Sequence, residues 1–267
     1  MKACNKTIVV TGAGNGIGRE VALLLLEKGA TVAAVDINKE GLEKTKELAN
    51  DYVNNIEIFE VDLAKRESVE TLKDNVLQRF IHVDGFINVA GIIQPFIHVN
   101  DLSYEKIEQV MNINFYGNVY MVKSFLPHFL TRPEAHIVNV SSMGGFVPVP
   151  GQTIYGASKA AVKLLTEGLH SELRNTNVEV TLVLPGGVAT DISKNSGAPL
   201  KIKNSDKALS SMKLLSAKEA ATIIVGGMEK EKYHVLAGKD VKILHQLSRL
   251  SPKKAATIIA KKLKSVM

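Results

Sequence analysis

Tyr155 and Lys159 bracket the run Tyr155-Gly-Ala-Ser-Lys159, whose surroundings read as helix. Residues at i and i+4 share a helix face, so a phenol and an ammonium can meet there. A free phenol ionises near pH ~10, poorly matched to acid–base work at neutral pH. An ammonium about 4 Å away, at an effective dielectric of about 20, favours phenolate by up to about 4 kcal/mol, or roughly three pKa units. Ser142 precedes them and can hydrogen-bond a reacting oxygen. Its neighbour Ser141 is one step along a strand and so faces the other way. This set suits an alcohol or a ketone, with Tyr155 moving the proton on oxygen while a hydride moves on carbon. Tyr-x-x-x-Lys alone recurs on ordinary surface helices, so the hydride source needs its own signal.

That signal is Thr11-Gly-Ala-Gly-Asn-Gly-Ile-Gly18, which follows a short apolar run and opens an amphipathic one. Glycines let the backbone approach a pyrophosphate, and a helix N-terminus supplies N–H groups and partial positive charge. The spacing is Gly12-x-x-x-Gly16-x-Gly18, with no Gly-Lys-Ser/Thr ending, which disfavours a nucleotide-hydrolysing loop. Asp36 closes the next apolar run. A carboxylate there can accept hydrogen bonds from adenosine ribose hydroxyls. A 2′-phosphate would meet a like charge, a repulsion of about 4 kcal/mol at ~4 Å before screening. Neither Asn15 nor Ile37 is basic, so the expected cofactor is NAD, although Lys39 lies close by.

The elements that must position these groups alternate short apolar runs with amphipathic ones, the pattern of a parallel sheet in an α/β fold. Strands are expected at Thr7–Val10, Thr31–Val35, Ile56–Val61, Gly85–Val89, His136–Val140, Glu179–Leu184 and Tyr233–Ala237. Helices are expected at Ile17–Lys28, Glu40–Asn50, Arg66–Arg79, Tyr104–Phe129, Tyr155–Asn175, Ala217–Met228 and Pro252–Lys264, with Gly29 as a C-terminal cap. The expectation is one doubly wound, Rossmann-type domain over 1–267 with about seven strands. Residues 190–216 read as a mobile substrate loop and 240–267 as a C-terminal helical extension.

The 267 residues, 45% hydrophobic and 22% charged, suit such a domain. No apolar run approaches the ~20 residues that span a bilayer, and the N-terminal residues lack a signal-peptide core. A single cysteine, Cys4, excludes an intrachain disulfide and fits a reducing compartment, so the expected location is the cytoplasm. The net charge is +6, with lysines concentrated at Lys194–Lys213 and beyond Pro252. A solvated surface accounts for them. An anionic substrate or contact of the basic C-terminal helix with a membrane surface is the sharper alternative. Nucleic acid is not expected, because no aromatics interleave these lysines. No histidine or cysteine motif points to a metal.

Thr11-Gly-Ala-Gly-Asn-Gly-Ile-Gly18, Asn88-Val-Ala-Gly91, Asn114, Ser142, Tyr155-x-x-x-Lys159 and Pro185-Gly-Gly-Val-Ala-Thr190 together resemble the short-chain dehydrogenase/reductase family. The likeness runs in order from residue 7 to about 240. It departs mildly at Val89, where an Asn is usual. The resemblance implies a catalytic set of Asn114, Ser142, Tyr155 and Lys159, with Asn114 holding a water in a proton relay and Lys159 also holding the nicotinamide ribose. Asn112 is the rival to Asn114. The cofactor set is Gly12, Asn15, Gly16, Ile17, Gly18, Asp36, Ile37, Asp62, Leu63, Asn88, Ala90, Gly91, Tyr155, Lys159, Pro185, Gly186, Val188 and Thr190. By resemblance, Asp62 and Leu63 meet adenine, and Val188 and Thr190 meet the nicotinamide amide. The family implies a homotetramer or homodimer. Ala237-Gly-Lys-Asp240 and Arg249-Leu-Ser-Pro252 resemble the C-terminal extensions of some members.

Ile92, Ile93, Phe96, Met143, Phe146, Val147 and Pro148 form an expected apolar wall. They suit NAD(H)-dependent interconversion of a hydrophobic secondary alcohol and a ketone. A non-catalytic NAD-binding module has no need of Ser142, Tyr155 and Lys159 together. An epimerase or dehydratase of the same family usually carries a larger substrate domain.

Overall fold

The computed structural model describes residues 1–198 and 214–262. Seven parallel strands form one sheet in the order β3-β2-β1-β4-β5-β6-β9. They are β1 (Thr7–Thr11), β2 (Thr31–Asp36), β3 (Ile56–Glu60), β4 (Gly85–Asn88), β5 (Ala135–Val140), β6 (Val178–Pro185) and β9 (His234–Ala237). All seven expected strands are present. Val, Ile and Ala dominate them because both faces are covered, which a parallel sheet requires.

On one face α1 (Gly16–Glu27) packs against α8 (Ala217–Met228) through Val21, Leu25, Ile224 and Val225. On the other, α3 (Arg66–Phe80) packs against α5 (Gly117–Phe129) through Leu72, Val76, Met121 and Phe125. α2 (Lys39–Leu48) flanks β2, and α6 (Thr153–Glu172) lies on β5 and β6. Gly29 has φ +80°, the left-handed backbone of a helix-ending glycine. Strand order reverses between β1 and β4, and in such sheets ligands sit beyond the strand C-termini at that point.

Four local features differ from the sequence expectation. The helix expected over Tyr104–Phe129 is divided into α4 (Tyr104–Met111), a π-helical turn (Asn112–Tyr116) and α5. A second C-terminal helix, α9 (Lys239–Leu250), precedes α10 (Pro252–Lys262). A small parallel ribbon pairs β7 (Val188–Ala189) with β8 (Leu215–Ser216). Finally, the start of the expected mobile loop is structured: it carries the short helix α7 (Ile192–Asn195), and Ser196 and Ala198 are buried. The rest of that loop, at 199–213, lies outside the described residues, as do 263–267.

Candidate active site

The turn after β1 sets the first wall. Gly12 has φ +71°, and a Cβ there would come within 2.9 Å of the Ala90 nitrogen. At Gly18 a Cβ would lie 2.0 Å from the Gly12 carbonyl oxygen. Side chains are therefore impossible at both positions, and the close approach leaves a backbone-walled cradle at the start of α1. Asn15 caps α1, its Oδ1 accepting the Gly16 N–H at 2.6 Å. Arg19 braces the turn from behind, with Nη2 donating to the Gly14 carbonyl and Nε to Thr45 Oγ1 at 3.0 Å.

A cleft of about 330 Å³ opens over this turn. Of the expected cofactor residues, Gly12, Asn15, Gly16, Ile17, Gly18, Asp36, Ile37, Asp62, Leu63, Ala90, Gly91 and Thr190 line it. Asp36 accepts the Gly14 N–H through Oδ2 and the Asn38 N–H through Oδ1, both at 3.0 Å. Its carboxylate is thereby fixed at the rim, beside the exposed Ile37. Asp62 accepts the Ala64 N–H at 3.0 Å. Thr190 leans over the turn, where a Cβ on Gly16 would lie 3.3 Å from its Cγ2. Ser196 anchors this flap by accepting the Ile93 N–H at 2.9 Å. The lining also includes Ile92 of the expected apolar wall, and Asn38, Val89, Ile113, Asp191, Ile192 and Asn195, for which no role was expected. Ile113 comes from the π-helical turn, Ile192 and Asn195 from α7, and the others from loops at the strand ends, so no local pattern marks them.

Other expected cofactor residues stand outside that lining. Asn88 is buried in the sheet, donating to Asn139 Oδ1 at 3.0 Å, so its amide ties β4 to β5. Pro185 ends β6, and a Cβ on Gly186 would meet Val241 Cγ2 at 2.7 Å, beneath α9. Val188 pairs with Leu215 in the ribbon.

The residues expected to be catalytic gather beyond the end of β5. Ser142 Oγ accepts the Gly144 N–H at 3.0 Å. A Cβ on Gly144 would lie 3.4 Å from the Tyr155 ring and 3.5 Å from Ser142 Oγ, so the two side chains converge there. Tyr155 is partly exposed in the first turn of α6. Burial of its hydroxyl raises the phenol pKa above the ordinary value, while a hydrogen bond with Ser142 pulls it down. Lys159 is 3% exposed, and its Nζ donates to the Val140 carbonyl at 3.0 Å. Burial lowers its pKa to about 8. An ammonium beside the phenol would draw its pKa down. Here desolvation dominates, and Nζ is directed at the strand carbonyl.

Ser141 faces away, as the strand alternation requires, donating to the Lys159 carbonyl at 2.6 Å. Asn114 is buried in the π-helical turn, and Asn112 is exposed. The Asn114 amide accepts the Ile92 N–H at 2.8 Å and donates to the Ile92 carbonyl at 2.9 Å and to Ser158 Oγ at 3.0 Å. Its side chain is thus occupied in clamping the segment after β4. A Cβ on Gly91 would lie 3.1 Å from Lys159 Nζ and 3.2 Å from Asn114 Oδ1, so cleft, lysine and asparagine meet at this glycine.

The expected apolar wall is divided. Ile92 lines the cleft, whereas Val147 is buried against Leu244, Ala255 and Ile259, with Met143 and Phe146 packed on the same cluster. The C-terminal helices use that surface as their seat. Among the described residues no cluster of His, Cys, Asp or Glu could hold a metal ion, and no helix is long and apolar enough to cross a membrane.

A family model described as short chain dehydrogenase matches residues 6–201. SadH of Mycobacterium tuberculosis, a protein named as an oxidoreductase, is 36% identical over 253 residues, covering 92% of this chain and 90% of the relative. A short chain dehydrogenase/reductase from Burkholderia phymatum, solved in complex with NAD, superposes with a TM-score of 0.82 at 27% identity, covering 94% of this chain and 96% of the other. A short chain dehydrogenase from Burkholderia cenocepacia, solved in complex with NADP, gives 0.79 at 26% identity, covering 97% and 99%.

Proposed function

The chain belongs to the short-chain dehydrogenase family, whose fold binds a nicotinamide dinucleotide, and from that premise we propose an NAD-dependent oxidoreductase interconverting an apolar secondary alcohol and its ketone. The observation that carries this reading is the convergence of Ser142 and Tyr155 at Gly144, with Lys159 and the cleft meeting at the nearby Gly91.

The residues present fit the cofactor. The side-chain-free turn at Gly12 and Gly18 leaves room for a pyrophosphate against backbone, and Asp36 stands where ribose hydroxyls need an acceptor. The fixed negative charge of Asp36 supports NAD over NADP, by repulsion of a 2′-phosphate. Bound nicotinamide supplies the hydride acceptor for alcohol oxidation and the donor for ketone reduction.

The chain's own residues handle the proton. Ser142 Oγ and the Tyr155 phenol both hydrogen-bond the substrate oxygen, fixing its position. Tyr155 donates its proton to that oxygen in reduction and accepts it in oxidation. A phenol pKa above the ordinary value keeps Tyr155 protonated at neutral pH, the form that reduction needs.

Tyr155→Phe tests this reading on a panel of apolar secondary alcohols and ketones with NAD(H). The expected result is turnover lowered by at least about 10²-fold with NADH affinity retained. Wild-type turnover in the variant would overturn it.

A further inference from the structure

α6 carries Tyr155 in its first turn but has no cap of its own. Gln152 occupies the N-cap position with φ −125° and ψ 33° and makes no side-chain capping bond. An N-cap side chain ordinarily accepts the N–H of the second or third helical residue. In α6 those residues are Ile154 and Tyr155. Both N–H groups are taken by Gln94 Oε1, at 2.8 and 3.1 Å. Gln94 comes from the segment after β4 and is fully buried. Its Nε2 donates to the Gly151 carbonyl at 2.9 Å, and its backbone carbonyl accepts from Gln152 Nε2 at 2.7 Å. One amide therefore joins the strand-end segment that bounds the cleft to the turn that bears the phenol.

We propose that Gln94 is a positioning residue for the reaction: it supplies the missing cap of α6 from another part of the chain and thereby fixes Tyr155 against Ser142. This rests on the reading of Tyr155 as the proton-moving group. Without the cap, two part-buried N–H groups lose their acceptor and the first turn frays. Displacement of a reacting group by about 1 Å can cost about 10²-fold in rate. The Tyr155–Ser142 hydrogen bond is the contact that such fraying breaks first.

The test is Gln94→Leu in the full chain, with Gln94→Glu as the variant that keeps an acceptor for both N–H groups. The first readout needs no substrate: the phenol carbon of ring-labelled tyrosine followed by NMR, with the Tyr155 signal identified by its loss in Tyr155→Phe. In Gln94→Leu that signal shifts, and its titration midpoint falls toward the free-phenol value as the hydroxyl gains solvent. The second readout is kcat on a panel member turned over by wild type. It falls by about 10- to 100-fold in Gln94→Leu with NADH affinity and KM nearly unchanged, and Gln94→Glu recovers most of it. If Gln94→Leu fails to bind NADH, Gln94→Asn, one methylene shorter, carries the same comparison. A Tyr155 signal and kcat identical to wild type in a variant that is merely less stable would overturn the proposal and leave Gln94 as a stability cap. Wild-type kcat in Tyr155→Phe would instead overturn the functional reading.

Discussion

Replacing Lys159 by Met should stabilise the protein while removing its activity. Lys159 is 3% exposed, and its pKa falls from 10.5 to about 8 because burial penalises the ammonium. At 1.36 kcal/mol per unit, the charged form costs the fold about 3 kcal/mol. Losing the donor to Val140 returns about 1 kcal/mol of that, so the net gain at neutral pH is about 2 kcal/mol. The sign follows from proton counting. Between pH ~8 and ~10.5 the unfolded chain binds the proton and the folded chain does not, so wild-type stability rises with pH across that window. Lys159→Met has no such group, so its advantage should vanish near pH ~9.5 and turn into a deficit of about 1 kcal/mol, the lost hydrogen bond, by pH ~10.5. Urea unfolding of both across the neutral to alkaline range measures this, because other titrating groups cancel in the difference. A variant less stable than wild type at neutral pH, or a difference independent of pH, would refute the burial argument.

Asn114→Leu removes the amide that holds both the N–H and the carbonyl of Ile92, and should destabilise by about 2–4 kcal/mol in thermal unfolding. His136 is buried in β5 beside Thr181 Oγ1 at 2.9 Å, and burial lowers its pKa to about 3. The unfolded chain takes up that proton first, so up to about 5 kcal/mol is lost as pH falls from about 6.5 to about 3, and His136→Gln should flatten the acid limb of urea-unfolding stability against pH. Because the Tyr155 pKa is raised, alcohol oxidation should climb through the alkaline range without levelling near neutrality, as a kcat–pH profile will show.

The parallel sheet was legible because Val- and Ile-rich runs alternate with amphipathic ones, and all seven strands followed. The glycine turn was legible for a similar reason, since a cradle without side chains leaves a trace in composition. The π-helical turn at Asn112–Tyr116 was not. Hydrophobic periodicity carries across a one-residue widening, so Tyr104–Phe129 read as one helix. α9 lies within the expected helical extension over 240–267, and its apolar positions Val241, Leu244 and Leu247 recur at helical spacing, although only Pro252–Lys264 was expected as a helix there. Asn88 and Asn114 carry amides that the motifs mark as functional. Their amides prove to be occupied with Asn139, Ile92 and Ser158, partners distant in the chain that no local spacing displays. Gln94 escaped notice for the same reason, since a cap supplied from outside the helix has no signature beside it.

In the proposed reaction the cleft over the glycine turn holds NAD, and Asp36 discriminates against a 2′-phosphate. Fluorescence titration of NADH against NADPH, on wild type and on Asp36→Asn, tests it most directly. Asn at this position keeps an oxygen for the Gly14 N–H while losing the charge. The predicted result is tighter binding of NADH by wild type, with NADPH gaining in the variant. Failure of both cofactors to bind, or a preference for NADPH that Asp36→Asn leaves unchanged, would rule out Asp36 as the discriminator of an NAD site.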